Sequence, residues 1–243
     1  QYTSEEYRVN RNWKNWLIAK VTAYNENYSC RLADKLIVLN QRDNKLLQTL
    51  YSRKADILLP TTFIDRFDIR KKQQKGMNEK FTLLFVGFAF FANIEGLRWF
   101  IDEVLPHLNG CRLQIVGSGM DKVFTNGDNI EVHGYVDDLG EYYYQADAVV
   151  LPILSGGGMK TKTAEALMYG CPIIGTKEAF EGYELDYDKV GGWADSKEDM
   201  IRIINSLVVN PEKVHQAGDY ARNVFERNYS FNNTVVKLKE LDR

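Results

Sequence analysis

The sequence has little of what would tie it to most ligand classes. It carries three histidines and three cysteines in 243 residues. Cys30, Cys111 and Cys171 are odd in number, far apart and unpatterned. That excludes a disulfide framework and reads as ordinary buried thiols of a reducing cytoplasm. No Cys/His/Asp cluster has metal-ligand spacing. Neither sign of charge is in excess: 31 Lys and Arg face 33 Asp and Glu, a net charge of −2. No basic excess suggests nucleic acid, and a membrane gets at most peripheral contact. No apolar run is long enough to span a bilayer, and no signal peptide opens the chain. The first residue is Gln1 rather than Met, consistent with a processed or shortened polypeptide. There is no GxxxxGK[ST] of a P-loop NTPase. There is no Gly-x-Ser-x-Gly elbow either, so Ser118 and Ser155 are not expected to be nucleophiles. Gly117-Ser118-Gly119 lacks the third glycine and the acidic residue of a dinucleotide fingerprint.

What is present is a globular composition, 44% hydrophobic and 26% charged, with a regular alternation from residue 81 onward. Strands are expected at 81–86, 112–116, 130–133, 148–151, 172–175 and 192–194. Helices are expected at 94–105, 139–145, 160–169, 198–208, 212–227 and 231–241. Ser196 with Asp199 resembles a capping box, and Asn210-Pro211 is a good helix start. Alternating β and α implies an α/β fold with a doubly wound parallel sheet. Such sheets bind ligands beyond the carboxyl ends of their strands, which singles out the loops 87–93, 117–121, 134–138 and 155–159. The first sixty residues read as a separate α-β-α-β block: helix 5–32, strand 35–39, helix 43–51, and strand 56–59 stopped by Pro60. That block is too small to cover a parallel sheet on both faces. Residues 64–80 read as a charged, solvated linker.

The most informative stretch is 151–176, LPILSGGGMKTKTAEALMYGCPIIGT. A strand runs into Gly156, Gly157 and Gly158, and a helix follows. Glycines let a ligand approach the backbone, and a helix start offers unpaired N–H groups and a positive dipole end. Lys160 and Lys162 bring cations to the same place, where they oppose the helix dipole. The set makes a diphosphate cradle, although glycine turns of this kind also join strands to helices with no ligand. Glu165, three residues after Lys162, could accept hydrogen bonds from a ribose diol or pair with Lys162. A diphosphate and a diol together point to a nucleotide-sugar. His133, at the ligand-facing end of a strand, is either structural or an acid/base candidate.

The segments FVGFAFFANIEGLRWFIDEVLPHL, RLQIVGSGM, IEVHGYVDDLGEYYYQADAVVLPILSGGGMKTKTAEALMYGCPIIGT and EGYEL, in that order, resemble the C-terminal domain of bacterial group 1 (family 4) GT-B glycosyltransferases. The likeness is close over 81–185 and loose over 196–241; residues 13–65 look like the tail of the family's N-terminal domain, with 60–65 as the hinge. It implies a Rossmann-like C-terminal domain, 65–243, behind a partial acceptor-side block, 1–64. It also implies retaining sugar transfer from a nucleotide-diphosphate donor to a sugar or lipid-linked acceptor, with no required metal. The implied setting is surface polysaccharide assembly in the cytoplasm or at the inner membrane face. The donor contacts it implies are Gly156, Gly157, Gly158, Met159, Lys160 and Thr161 on the diphosphate. Lys162 would neutralise the leaving group and Glu165 would hold the ribose. Gly87 would admit the donor to the first loop, and Tyr135 and Val136 would border the base. Two features depart from the family. Gly157 stands where a glutamate eight residues before Glu165 is usual, and 88–93 lacks the usual cation pair. A related subgroup with a GGG-x-K-x-K loop shares both. A binding module without transfer activity is the competing reading.

Overall fold

The computed structural model describes residues 12–74, 76, 79–156 and 158–239. The chain divides into two compact units, one running to Pro60 with the chain from Val236 on, the other Thr61–Val235.

The first unit contains α1 (Trp13–Leu32), β1 (Ile37–Val38), α2 (Gln41–Tyr51) and β2 (Ile57–Leu58). Asn12 and Asn40 cap the two helices, each side chain accepting from the backbone N–H three residues on. The strands pair in parallel, Ile37 with Ile57 and Val38 with Leu58. The order matches the expected α-β-α-β block, with shorter strands. Residues 5–11 of the expected first helix lie outside the described residues.

The second unit opens with α3 (Ile69–Gln73), which falls inside the expected linker. The linker is not simply solvated. Asp68 caps α3 by accepting from the Arg70 N–H at 2.9 Å, and its own N–H donates to the Tyr144 hydroxyl at 2.6 Å. Asp65 pairs with Arg222, whose guanidinium lies 4.5 Å from the centre of the Phe67 ring. Tyr144 and Arg222 lie far from this segment in sequence, so composition alone reads it as free.

Then follow β3 (Phe81–Val86), α4 (Phe91–Trp99), β4 (Cys111–Val116), β5 (Ile130–His133), α5 (Gly140–Gln145), β6 (Ala148–Leu151), α6 (Thr161–Met168), β7 (Ile173–Gly175), α7 (Tyr187–Val190), β8 (Gly191–Trp193), α8 (Lys197–Val208), α9 (Pro211–Asn228) and α10 (Phe231–Leu238). The strands form one six-stranded parallel sheet in the order β5-β4-β3-β6-β7-β8. This is the Rossmann-like doubly wound order, and the strand sequence reverses between β3 and β6. The central strands are continuous apolar runs because both faces are covered. Leu83, Leu84, Phe85, Leu113, Ile115, Val149, Val150, Ile173 and Ile174 are all fully buried. Each such side chain contributes roughly 1.5–3 kcal/mol by leaving water.

The capping expectations hold: Ser196 Oγ accepts from the Asp199 N–H and Asn210 Oδ1 from the Lys213 N–H. The helix expected at 94–105 begins earlier, at Phe91, and after Trp99 passes into a π turn, Phe100–Val104, and a 3₁₀ turn, Leu105–His107. Pro106 has no N–H and cannot continue an α-helical ladder, so the hydrogen-bond register changes before it. The short α7 was not expected. The end of the helix expected to reach 241 lies outside the described residues beyond 239.

Candidate active site

At the reversal point the loops after β3 and β6 part, and a cavity of about 480 Å³ lies beyond the carboxyl ends of the strands. Gly87, Phe88, Phe90 and Asn93 line it from the β3 side, Tyr135 and Val136 from the loop after β5. Ser155, Gly156, Met159, Lys160, Thr161, Lys162 and Glu165 line it from the segment after β6. Nine of the residues named from the sequence therefore meet in one cavity: Gly87, Tyr135, Val136, Gly156, Met159, Lys160, Thr161, Lys162 and Glu165. Gly158 is not on its wall, and Gly157 lies outside the described residues. His133 is not on the wall either; its ring packs edge-on against Tyr142, centres 5.0 Å apart.

The glycine loop is held from behind. Gly156 and Gly158 have φ of +138° and +73°, the region that glycine adopts without penalty. Lys160 closes the loop on itself, donating to the Gly158 carbonyl at 2.9 Å and to Glu178 Oε1 at 2.6 Å. Its own carbonyl accepts from the Tyr183 hydroxyl at 2.6 Å. Thr163 Oγ1 donates to the Ala179 carbonyl at 2.7 Å. The segment after β7 thus clamps the start of α6. Lys160 is the N-cap of α6 and makes no side-chain cap; the Thr163 N–H donates to the Lys160 carbonyl at 3.0 Å, and Thr161 and Lys162 carry the two leading amides of the helix.

The two lysines differ in charge balance. Lys160 is ion-paired with Glu178, both side chains largely buried. Lys162 rests on neutral groups: its Nζ donates to Asn93 Oδ1 at 2.5 Å and sits 4.6 Å from the centre of the Phe85 ring. Burial, then the neighbouring Lys160 charge, bring its pKa down to about 8, with Glu165 acting in the opposite sense. Glu165 has a different partner, the hydroxyl of fully buried Tyr143, which donates to Oε2 at 3.4 Å. Burial raises the Glu165 pKa; Tyr143, Lys162 and Arg66 oppose that shift. Gly87 makes room for this arrangement. A Cβ there would lie 3.0 Å from Asn93 Nδ2 and 3.1 Å from Lys162 Nζ.

Sequence reasoning did not single out Asn93, Phe85, Tyr143 or Glu178. Each acts through a contact distant in sequence, and local spacing carries no signal for any of them.

The sequence profile of the family Glycosyl transferases group 1 matches residues 80–210, more than half of the chain. No curated protein matches the sequence. Solved structures are similar in fold. Sucrose-phosphate synthase from Thermosynechococcus elongatus superposes with a TM-score of 0.73 at 17% identity, over 92% of this chain and 61% of that one. Anabaena HepE in complex with UDP and glucose gives 0.72 at 14% identity, over 88% and 64%. TarM of S. aureus, in a complex that includes UDP, gives 0.70 at 17% identity, over 88% and 45%. The chain therefore spans less than two thirds of the length of each of these proteins. With the family profile laid over the strands and loops that build the cavity, the chain belongs to the group 1 glycosyl transferases, and its parallel sheet has the fold of their GT-B members.

Proposed function

We propose that this chain is the donor-binding part of a retaining glycosyltransferase that takes a sugar from a nucleotide-diphosphate donor. One observation carries the reading: Gly156, Lys162 and Glu165 share a single cavity at the reversal point of the sheet. The Thr161 and Lys162 amides at the start of α6 suit the diphosphate, with Gly156, Gly157, Gly158, Met159, Lys160 and Thr161 as the segment that would wrap it. Lys162, whose contacts are neutral, offsets the charge that develops on the departing phosphate oxygen. Glu165, steadied by Tyr143, accepts from the ribose hydroxyls. Tyr135 and Val136 border the base. No protein nucleophile and no metal is needed for these roles. Complexes of HepE and TarM with UDP support a uridine nucleotide.

In this reading residues 1–64 are the tail of the acceptor-side domain with its hinge, and 65–243 the donor-binding domain. The acceptor is a sugar or a lipid-linked sugar in surface polysaccharide synthesis, met in the cytoplasm or at the inner membrane face. A second reading is a donor-binding portion that transfers nothing unaided. Calorimetric titration with UDP, GDP and ADP, then with UDP-glucose and GDP-mannose, separates these. Micromolar binding of one nucleotide supports the donor site. Turnover of its sugar form supports the first reading and binding without turnover the second. Absence of binding to all of them overturns both.

A further inference from the structure

We infer that Asn93 is a positioning residue for Lys162, holding the ammonium at the cavity wall by a neutral contact so that its charge stays available to a bound anion. The inference rests on the diphosphate reading of the cavity. Asn93 is buried, at 7% exposure, in the first turn of α4. Its amide is used at both ends. Oδ1 accepts from Lys162 Nζ at 2.5 Å, and Nδ2 donates to the Phe88 carbonyl at 2.8 Å. The second bond fixes the amide's orientation, so the oxygen and not the NH2 faces the lysine. One side chain thus links the loop after β3 to the cation delivered by α6.

The contrast with Lys160 gives the arrangement its meaning. Lys160 meets a carboxylate at 2.6 Å, which engages it as a fastening of the glycine loop. At Lys162 an amide occupies the corresponding contact. A carboxylate there would make a stronger bond and a more stable cavity, but the anion would then have to displace it. An amide orients the ammonium without competing for it. The remaining groups around the lysine are consistent with this. The charged groups acting on Lys162 are Lys160 and Glu165. The Phe85 ring beneath it is neutral. Glu165 is itself engaged by Tyr143 and lies within the influence of Arg66.

The test is Asn93→Asp, which keeps the shape and places a negative charge against Lys162. Wild type and variant are titrated with whichever of UDP, GDP and ADP wild type binds best, and with its parent nucleoside, from pH 6.5 to 10. In wild type the diphosphate affinity should decline as pH rises through about 8, where Lys162 loses its proton. In Asn93→Asp the affinity at pH 7 should drop about tenfold or more, and the decline should move above about pH 9, because a carboxylate favours the protonated amine. The nucleoside should bind both proteins alike. Asn93→Ala is the second variant, should the aspartate prevent folding. It should lose about tenfold for the diphosphate and little for the nucleoside. Equal losses for both ligands with an unmoved pH dependence would make Asn93 a packing residue only and overturn the inference, as would unchanged affinity in both variants. If wild type binds none of the three diphosphates, the donor-site reading fails and the role of Asn93 goes with it.

Discussion

Replacing Lys162 by Met should strengthen the fold at neutral pH while weakening the site. The lysine is held charged in a place that disfavours charge. Its pKa is about 8 against an ordinary 10.5. That difference corresponds to a cost of about 3 kcal/mol for the folded state at pH 7, as an upper bound. Methionine removes the cost but also the bond to Asn93 and the cation–π contact with Phe85, together worth about 2 kcal/mol. The net gain at pH 7 is at most about 1 kcal/mol, which raises Tm by up to about 2–4 °C in a domain of this size. The unfolded lysine keeps its proton up to its ordinary pKa, whereas the folded one releases it near 8. The penalty is therefore complete below pH 8 and is relieved as pH rises from 8 toward 10.5. Between pH 7 and 9.5 the variant's advantage should shrink by about 2 kcal/mol, enough to reverse its sign. Thermal unfolding without nucleotide at those two pH values reads this directly. Over the same substitution, UDP affinity at pH 7 should weaken by about 1.5–3 kcal/mol. A Tm difference that does not change with pH would refute the electrostatic account of Lys162, and unchanged UDP affinity would remove it from the site.

Other perturbations test neighbouring parts of the cavity. Glu165→Gln should reduce affinity for UDP about tenfold but leave 2′,3′-dideoxy-UDP almost unaffected, since only the first presents a diol; equal losses in titration would make Glu165 structural. Gly87→Ala should crowd Asn93 and Lys162 together and weaken UDP binding about fivefold or more with a stability cost of about 1–3 kcal/mol. Wild-type affinity in that variant would mean the loop yields freely. Chelation with EDTA should leave UDP binding and any turnover intact; restoration by added Mg²⁺ would contradict the metal-independent reading.

Much of the second unit's fold could be read from sequence because it follows from local rules. β3 and β6 are short apolar runs ending in glycine or proline, and Ser196 and Asn210 announce their helices with caps three residues long. The stretch from Gly156 to Glu165 was legible as a cluster since its residues are neighbours on one loop and one helix. What was not legible depends on contacts across the fold. Lys162 meets Asn93 across 69 positions, and Lys160 meets Glu178 across 18. From spacing alone the two lysines look equivalent; the partner each finds makes one a fastening and leaves the other's charge uncancelled by contact. Tyr143 reads as one of three consecutive tyrosines, and only the folding of α5 beside α6 shows that its hydroxyl serves Glu165. The segment 64–74 escaped for the same reason, because its charged residues find partners on α9 and α5.

The most direct measurement is the crystal structure of this chain with UDP bound. The account predicts the diphosphate against the glycine loop and the first amides of α6, Lys162 Nζ within hydrogen-bond distance of a phosphate oxygen, and Glu165 on the ribose hydroxyls. UDP found outside this cavity, or inside it with Lys162 still directed only to Asn93, would contradict it.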